Sequence, residues 1–248
     1  MMQAQNASLT FPEKDQLSMP NNNERALWEK EYGAMPTIPS SHRLQPSHAL
    51  VELARGYDLS VEKALDLGCG NGRNSFYLAK SGANVTAIDF SKEALNILRH
   101  EKRKSNLPGS IKQLNIDISN GLPLESNSFD LVLDSYCLCH FISEKELKDA
   151  ITEVHRVLKP GGRLIKVHID SSDKYYLQRA RRKTSYGHIS YDPANGIQKM
   201  HMSLDSYLSQ FRGDFRFIKS ECLQFNDNVR GVPYKRSIFL CVTEKPFS

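Results

Sequence analysis

The 248-residue sequence contains no Cys-x-x-Cys pair. Its five cysteines, Cys69, Cys137, Cys139, Cys222 and Cys241, are an odd and scattered set. That argues against a disulfide framework and against a structural zinc centre, so no metal site is expected. Long apolar runs are also missing. The longest, such as Ile238 to Val242, fall far short of the roughly 20 residues a spanning helix needs, so no membrane segment is expected. Met1 to Arg25 is polar and lacks the apolar stretch of a secretory signal, which makes the cytoplasm the expected location. No internal repeat is visible. Neither charge sign dominates: 33 Lys and Arg against 28 Asp and Glu give a formal charge of +5. Such a mildly basic chain admits an anionic substrate without demanding nucleic acid.

What is present is an ordinary globular composition, 40% hydrophobic and 25% charged. At about 150 residues per domain, this length fits one domain with appendages. Residues 1–22 are rich in Asn, Gln, Ser and Pro without periodicity and read as a mobile tail. Residues 23–60 read as a helical lid segment, with helices over Glu24–Tyr32 and Ser47–Tyr57 around a proline-containing stretch. From Lys63 the pattern alternates. Strands are expected at Ala64–Leu67, Val85–Ile88, Ile111–Ile116, Phe129–Leu133 and Arg163–Val167. Helices are expected at Asn71–Lys80, Ser91–Arg103 and Ser143–Leu158. Short connections of this kind imply parallel strands joined by right-handed crossovers, an α/β doubly wound sheet with ligands at the carboxyl ends of its strands. A tyrosine- and arginine-rich insertion follows at about 171–202. Two further strands, Phe215–Leu223 and Arg236–Val242, are separated by a loop holding Gly231 and Pro233. Their close spacing without a helix predicts antiparallel pairing.

The turn Asp66-Leu-Gly-Cys-Gly-Asn-Gly72 follows the first strand and opens a helix. Glycines there let the backbone bend sharply and approach a ligand closely. The third glycine of the dinucleotide pattern would fall at Arg73, which argues against a nicotinamide-dependent oxidoreductase. Asp66 puts a carboxylate just ahead of the turn, which suits a cationic amine better than a pyrophosphate. Asp89, Asp117 and Asp134 stand at the ends of the next three strands, so four acidic residues fall on one sheet edge beside the glycine turn.

In these segments the chain resembles the class I S-adenosylmethionine-dependent methyltransferases. The resemblance is carried by Ala64-Leu-Asp-Leu-Gly-Cys-Gly-Asn-Gly72, Ala87-Ile-Asp-Phe-Ser91, Asn115-Ile-Asp-Ile118, Phe129-Asp-Leu-Val-Leu133 and Val157-Leu-Lys-Pro-Gly-Gly-Arg163. It implies a mostly parallel seven-stranded sheet with an antiparallel last strand over residues 61–248, and S-adenosyl-L-methionine as cofactor. By that resemblance Gly68, Gly70 and Gly72 line the methionine part, with Cys69 and Asn74 in the same turn and helix start, and Asp66 near the ammonium. Asp89 takes the ribose hydroxyls, Phe90 packs on the adenine, Asp117 takes the adenine amino group and Ile118 lies beside the ring. Asp134 and Ser135 close the methyl side. Trp28 and Tyr32, spaced i, i+4 on one helix face, either cover the cofactor, as an N-terminal Trp-x-x-x-Tyr helix does in some members of that family, or pack on the core. Independently of the resemblance, Arg43 either pairs with the cofactor carboxylate or lies on the surface.

The acceptor is less legible. The Asn/Asp-Pro-Pro-Tyr/Phe tetrapeptide of nucleic-acid amine methylation is absent; that place reads Asp134-Ser-Tyr-Cys137. No Pro-Cys pair supplies a cytosine C5 nucleophile. His140 is a candidate base, Tyr136 a candidate wall of the acceptor pocket, and His168 and Asp170 face the expected edge. The run Lys174–Lys183, with five positive charges and two tyrosines, suggests a cap for an acceptor with an anionic or aromatic group. A small molecule is therefore the expected acceptor. RNA or protein is the alternative, and a non-catalytic cofactor-binding subunit is the alternative of another class.

Overall fold

The computed structural model describes residues 24–33, 36–38, 41–211 and 213–247; the expected tail at residues 1–22 lies outside them. Two helices come first, α1 (Glu24–Gly33) and α2 (His48–Ala54). The alternating unit then runs β1 (Lys63–Leu67), α3 (Arg73–Lys80), β2 (Asn84–Asp89), α4 (Lys92–Arg103), β3 (Ser110–Asn115), β4 (Phe129–Ser135), α5 (Glu144–Val157) and β5 (Leu158–Ile169). Serines start three of the helices as expected. The Ser47 Oγ accepts from the Leu50 N–H, Ser91 Oγ from Ala94 and Ser143 Oγ from Glu146, satisfying N–H groups that have no partner within the helix.

The insertion forms α6 (Lys174–Leu177), β6 (Ala180–Lys183), β7 (Gly187–Tyr191) and β8 (Gln198–Met202). Helix α7 (Leu204–Phe211) and the hairpin β9 (Arg216–Val229) and β10 (Val232–Glu244) complete the chain. The main sheet has seven strands in the order β3-β2-β1-β4-β5-β10-β9. Strands β3, β2, β1, β4 and β5 are mutually parallel, and β10 runs antiparallel to β5 and β9. The order reverses between β1 and β4, so the carboxyl ends of these two strands flank the crevice where doubly wound sheets bind ligands.

Period-2 alternation splits the central strands between two cores. In β4, Leu131 and Leu133 pack with α2, α3 and α4, while Val132 packs with α5 and α7 on the other face. Each fully buried aliphatic side chain contributes roughly 1.5–3 kcal/mol. Burial on both faces is therefore the main force holding the sheet between its helices.

Two elements differ from the sequence expectation. The insertion is a three-stranded antiparallel sheet, β6-β7-β8. Strand β8, Gln-Lys-Met-His-Met, is buried at all five positions, so its polar side chains conceal a core strand from any hydropathy pattern. The final hairpin is also longer than expected. Arg230 and Gly231 form its two-residue turn with positive φ at both positions, 54° and 81°, the geometry that matches strand twist in tight hairpins. Pro233 lies inside β10, paired with Asn228. The added part of β9, Gln224 to Val229, is rich in Asn and Asp, residues depleted in strands.

Candidate active site

One cavity of about 630 Å³ opens at the carboxyl ends of β1, β2, β3 and β4. Its first end is built by the glycine turn. Gly68 and Gly70 both have φ of 56°. A Cβ on Gly70 would lie 2.3 Å from Tyr32 Oη, and one on Gly68 would lie 2.6 Å from Cys137 Sγ. Glycine here lets α1 and the segment after β4 close on the turn. Gly68, Cys69, Gly70 and Asn74 line the cavity. Asn74 also accepts from the Ser47 N–H (2.9 Å), and Asn71 Nδ2 donates to the Arg43 carbonyl (3.0 Å). These bonds tie the N-terminal segment to the turn.

Asp89 ends β2 and lines the cavity. Its two carboxylate oxygens accept from Gly70 N–H (2.9 Å) and Ser91 N–H (2.8 Å). A carboxylate offers about four lone-pair sites, so acceptor capacity remains toward the cavity. Burial pushes its pKa up to about 6, against the N–H groups of Ser91 and Gly70, which lower it. Phe90, Asp117 and Ile118 line the next stretch. Asp117 accepts from Ser119 N–H and Oγ. Ser135 Oγ is buried at the wall with no hydrogen-bond partner among the described residues, an orphan that a ligand can satisfy.

Trp28, Tyr32 and Arg43 line the cavity from the N-terminal side. Trp28 and Tyr32 stack at 5.8 Å, and Trp28 meets His140 edge-on at 5.1 Å. Two carboxylates place α1. Glu29 accepts from Ser91 Oγ and from the N–H groups of Lys92 and Glu93 at the start of α4. Glu31, 3% exposed, accepts from Thr37, Ile38 and Ser41.

Three expected cofactor residues do not line the cavity. Asp66 is buried, accepting from Ser75 Oγ (2.6 Å), and burial pushes its pKa up to about 7. Gly72 packs against Leu98 of α4. Asp134 is ion-paired with Lys166 and accepts from Cys137 and Leu138 N–H. The three thus stand behind the cavity wall, not on it. Nor do His168 and Asp170 line it. His168 packs against Phe239, and Asp170 accepts from Ser172.

Both acceptor-side candidates are at the cavity. Tyr136, at φ 65°, and His140 line it beyond Ser135. His140 Nδ1 bonds the Gln198 carbonyl at 3.2 Å, so Nδ1 carries the proton and Nε2 is the acceptor. Burial, and then the Lys199 charge, lower the His140 pKa to about 3. Burial raises Tyr136 to about 12. At neutral pH one is a neutral acceptor and the other a neutral donor.

The far wall was legible in the sequence only at Tyr175 and Tyr176, the two tyrosines of the Lys174–Lys183 run. It comprises Tyr175 and Tyr176 from α6, Lys199 from β8, and Phe225 and Arg236 from the extended hairpin. Arg236 is held by Asp173 (2.8 Å) and Asp227 (3.2 Å). Asp173 also caps α6 by accepting from Tyr175 and Tyr176 N–H. The basic run of the insertion lies elsewhere: Arg181, Arg182 and Lys183 are exposed on β6. The double substitution Arg181→Ala, Arg182→Ala is therefore expected to leave cofactor affinity and turnover within about twofold. A larger loss of turnover in steady-state assays would restore the run to the acceptor site.

A doubly wound sheet that brings a glycine turn and a carboxylate at the end of its second strand to one cavity is an architecture for binding a nucleoside cofactor. Comparison with known proteins agrees. Residues 65–166 match the family described as a methyltransferase domain. The chain is 41% identical over 101 residues to an uncharacterized methyltransferase of Synechocystis, covering 41% of this chain and 44% of that one. It thus spans less than half the length of that relative. It is 30% identical over 197 residues to the malonyl-[acyl-carrier protein] O-methyltransferase of Enterobacter lignolyticus, covering 79% of this chain and 72% of that protein. The N-methyltransferase NodS of Bradyrhizobium japonicum, solved with S-adenosyl-L-homocysteine, superposes with a TM-score of 0.63 at 17% identity, covering 91% of this chain and all of that one. The chain belongs to the class I S-adenosylmethionine-dependent methyltransferase family, whose cofactor is S-adenosyl-L-methionine. Among the described residues no helix is long and apolar enough to cross a membrane.

Proposed function

We propose that this chain transfers the methyl group of S-adenosyl-L-methionine to a small molecule carrying an aromatic or anionic group. The observation that carries the reading is the single cavity joining the glycine turn and Asp89 to a chamber of tyrosines and cations. When bound, the cofactor supplies an activated methyl group on a sulfonium. In-line displacement then asks the protein chiefly for alignment and exclusion of water.

Asp89, with acceptor capacity left beyond its two backbone bonds, takes the ribose hydroxyls, and Phe90 and Ile118 flank the adenine beside Asp117. The glycine turn, Cys69 and Asn74 hold the amino-acid portion, and Arg43 takes its carboxylate. Ser135, a buried hydroxyl at the cavity wall without a partner among the described residues, satisfies a polar group there. Residues 23–60 act as the lid, with Trp28 and Tyr32 closing over the cofactor and Glu29 and Glu31 fixing the lid's path. Residues 61–248 form the transferase domain, and the insertion at 171–202 caps the acceptor. Tyr136 forms a wall and donates a hydrogen bond, while His140 Nε2 accepts one from the acceptor's N–H or O–H. At a pKa near 3, His140 orients the acceptor rather than storing its proton.

The test has two parts. Calorimetry should show the protein binding S-adenosyl-L-homocysteine. Methyl-labelled cofactor offered with separate metabolite, peptide and RNA pools should then label the metabolite pool. Label confined to RNA or peptide would overturn the small-molecule reading. Cofactor hydrolysis without label in any pool would favour a non-catalytic subunit.

A further inference from the structure

The acceptor end of the cavity holds a buried ammonium with no carboxylate against it. Lys199, 8% exposed, projects from β8, and its Nζ donates to Tyr176 Oη at 3.1 Å. Among the described residues no Asp or Glu oxygen lies within 4.0 Å of Nζ. Its neighbour Arg236 differs, since Asp173 and Asp227 both pair with it. On the lid side Glu24 feels the Lys199 charge, which lowers its pKa slightly, but makes no ion pair with it. Burial, then repulsion from Glu146 and Asp117, push the Glu24 pKa up to about 7, so part of its charge is absent at neutral pH. Burial opposes the Lys199 charge, yet Tyr176 and Cys139 keep its pKa above the ordinary lysine value.

An unpaired charge in a buried wall is costly, and buried charges in proteins are normally paired. This one faces a cavity, so its counter-charge can come from a ligand. The adjoining phenol is held in place. The Tyr176 ring stacks on His201 at 4.6 Å and meets Tyr175 edge-on at 4.9 Å. Its oxygen accepts from Lys199, which leaves its own O–H to donate. Ammonium and phenol together present two donors to one oxyanion.

We propose that Lys199 and Tyr176 form the specificity subsite of the methyl acceptor, binding a carboxylate or phosphate group through an ammonium and a phenol. The inference rests on the methyl-transfer reading above. Within that reading it replaces the exposed arginines of β6 with a buried pair as the origin of anion selectivity.

The experiment divides a metabolite extract by anion exchange into retained and flow-through fractions. Each is incubated with the full-length protein and methyl-labelled S-adenosyl-L-methionine. Label is expected in compounds derived from the retained fraction. Lys199→Met should lower that labelling at least tenfold, with S-adenosyl-L-homocysteine affinity within about twofold of wild type, and Lys199→Arg should restore part of it. Phosphatase treatment of the retained fraction beforehand assigns the oxyanion: labelling is abolished for a phosphate and kept for a carboxylate. Label arising only from the flow-through, or Lys199→Met labelling like wild type, would overturn the subsite. If wild type fails to bind S-adenosyl-L-homocysteine, the methyl-transfer reading itself falls, so the two failures are distinct. Retained cofactor binding in Lys199→Met also shows that the variant is folded.

Discussion

Asp134→Ala is expected to destabilise the protein by about 3–5 kcal/mol, the cost of stranding a buried partner charge. Asp134 and Lys166 are directly opposed on adjacent parallel strands, β4 and β5. Their side chains are 0% and 1% exposed. One carboxylate oxygen accepts from Lys166 Nζ, while the other accepts from Cys137 N–H (3.0 Å) and Leu138 N–H (3.1 Å). The alanine variant loses all three bonds and leaves an ammonium among Leu138, Phe239 and other apolar groups of that core. For a chain of this size the loss corresponds to a fall in Tm of roughly 6–20 °C. Removing both charges, as in Asp134→Ala with Lys166→Met, should recover much of it, because the isolated ammonium is what costs most. Urea unfolding of the four species gives the coupling. A single alanine variant within about 1 kcal/mol of wild type would show that water or rearrangement satisfies Lys166.

That prediction concerns stability because of where a strand residue falls relative to the last rung. Asp66, Asp89, Asp117 and Asp134 look alike in sequence, each acidic and each near a strand end. Asp66 and Asp134 are penultimate in β1 and β4, followed by Leu67 and Ser135. A penultimate side chain still points into the layer beneath the helices, where Ser75 and Lys166 meet them. Asp89 is the last residue of β2, and Asp117 lies beyond the end of β3, so both emerge at the crevice. A shift of one residue decides between a structural ion pair and a ligand contact, and composition alone does not resolve one residue.

The parallel sheet was legible because short crossovers leave few topologies. The glycine turn was legible because close approach and positive φ restrict the residue type. The acceptor wall has neither constraint. Lys199 and Arg236 lie 37 residues apart in sequence, in a strand and a hairpin whose polar composition resembles loop. The pairing of β10 with β5 and β9 brings Arg236 to the cavity, and the separate β6-β7-β8 sheet brings Lys199. The run that stood out, Lys174 to Lys183, did so by charge density; its two tyrosines line the cavity, while Arg181, Arg182 and Lys183 lie on a solvated edge strand, which produces the same charge density.

Asp89→Ala is expected to weaken S-adenosyl-L-homocysteine binding by at least about tenfold and up to several hundredfold. A charge-assisted hydrogen bond contributes roughly 1.5–3 kcal/mol, every 1.4 kcal/mol is a factor of ten, and the carboxylate has room for more than one. The same residue predicts a pH dependence. In the free protein burial raises its pKa to about 6, whereas hydroxyl donors bind the ionised form. Binding must therefore expel a proton below that pH. Affinity should be steady above about pH 6 and fall as the solution is acidified, approaching tenfold per pH unit well below the pKa. Asp66 and Glu24, pushed up to about 7, titrate nearby, so the informative quantity is the difference between wild type and Asp89→Asn. Asparagine keeps the shape and cannot ionise, so its profile should lack the component centred near pH 6. Calorimetric titrations from pH 5 to 8 measure both. Identical profiles for the two proteins would remove Asp89 from the cofactor site, because an acid that holds the ribose cannot lose its charge without loosening its hold.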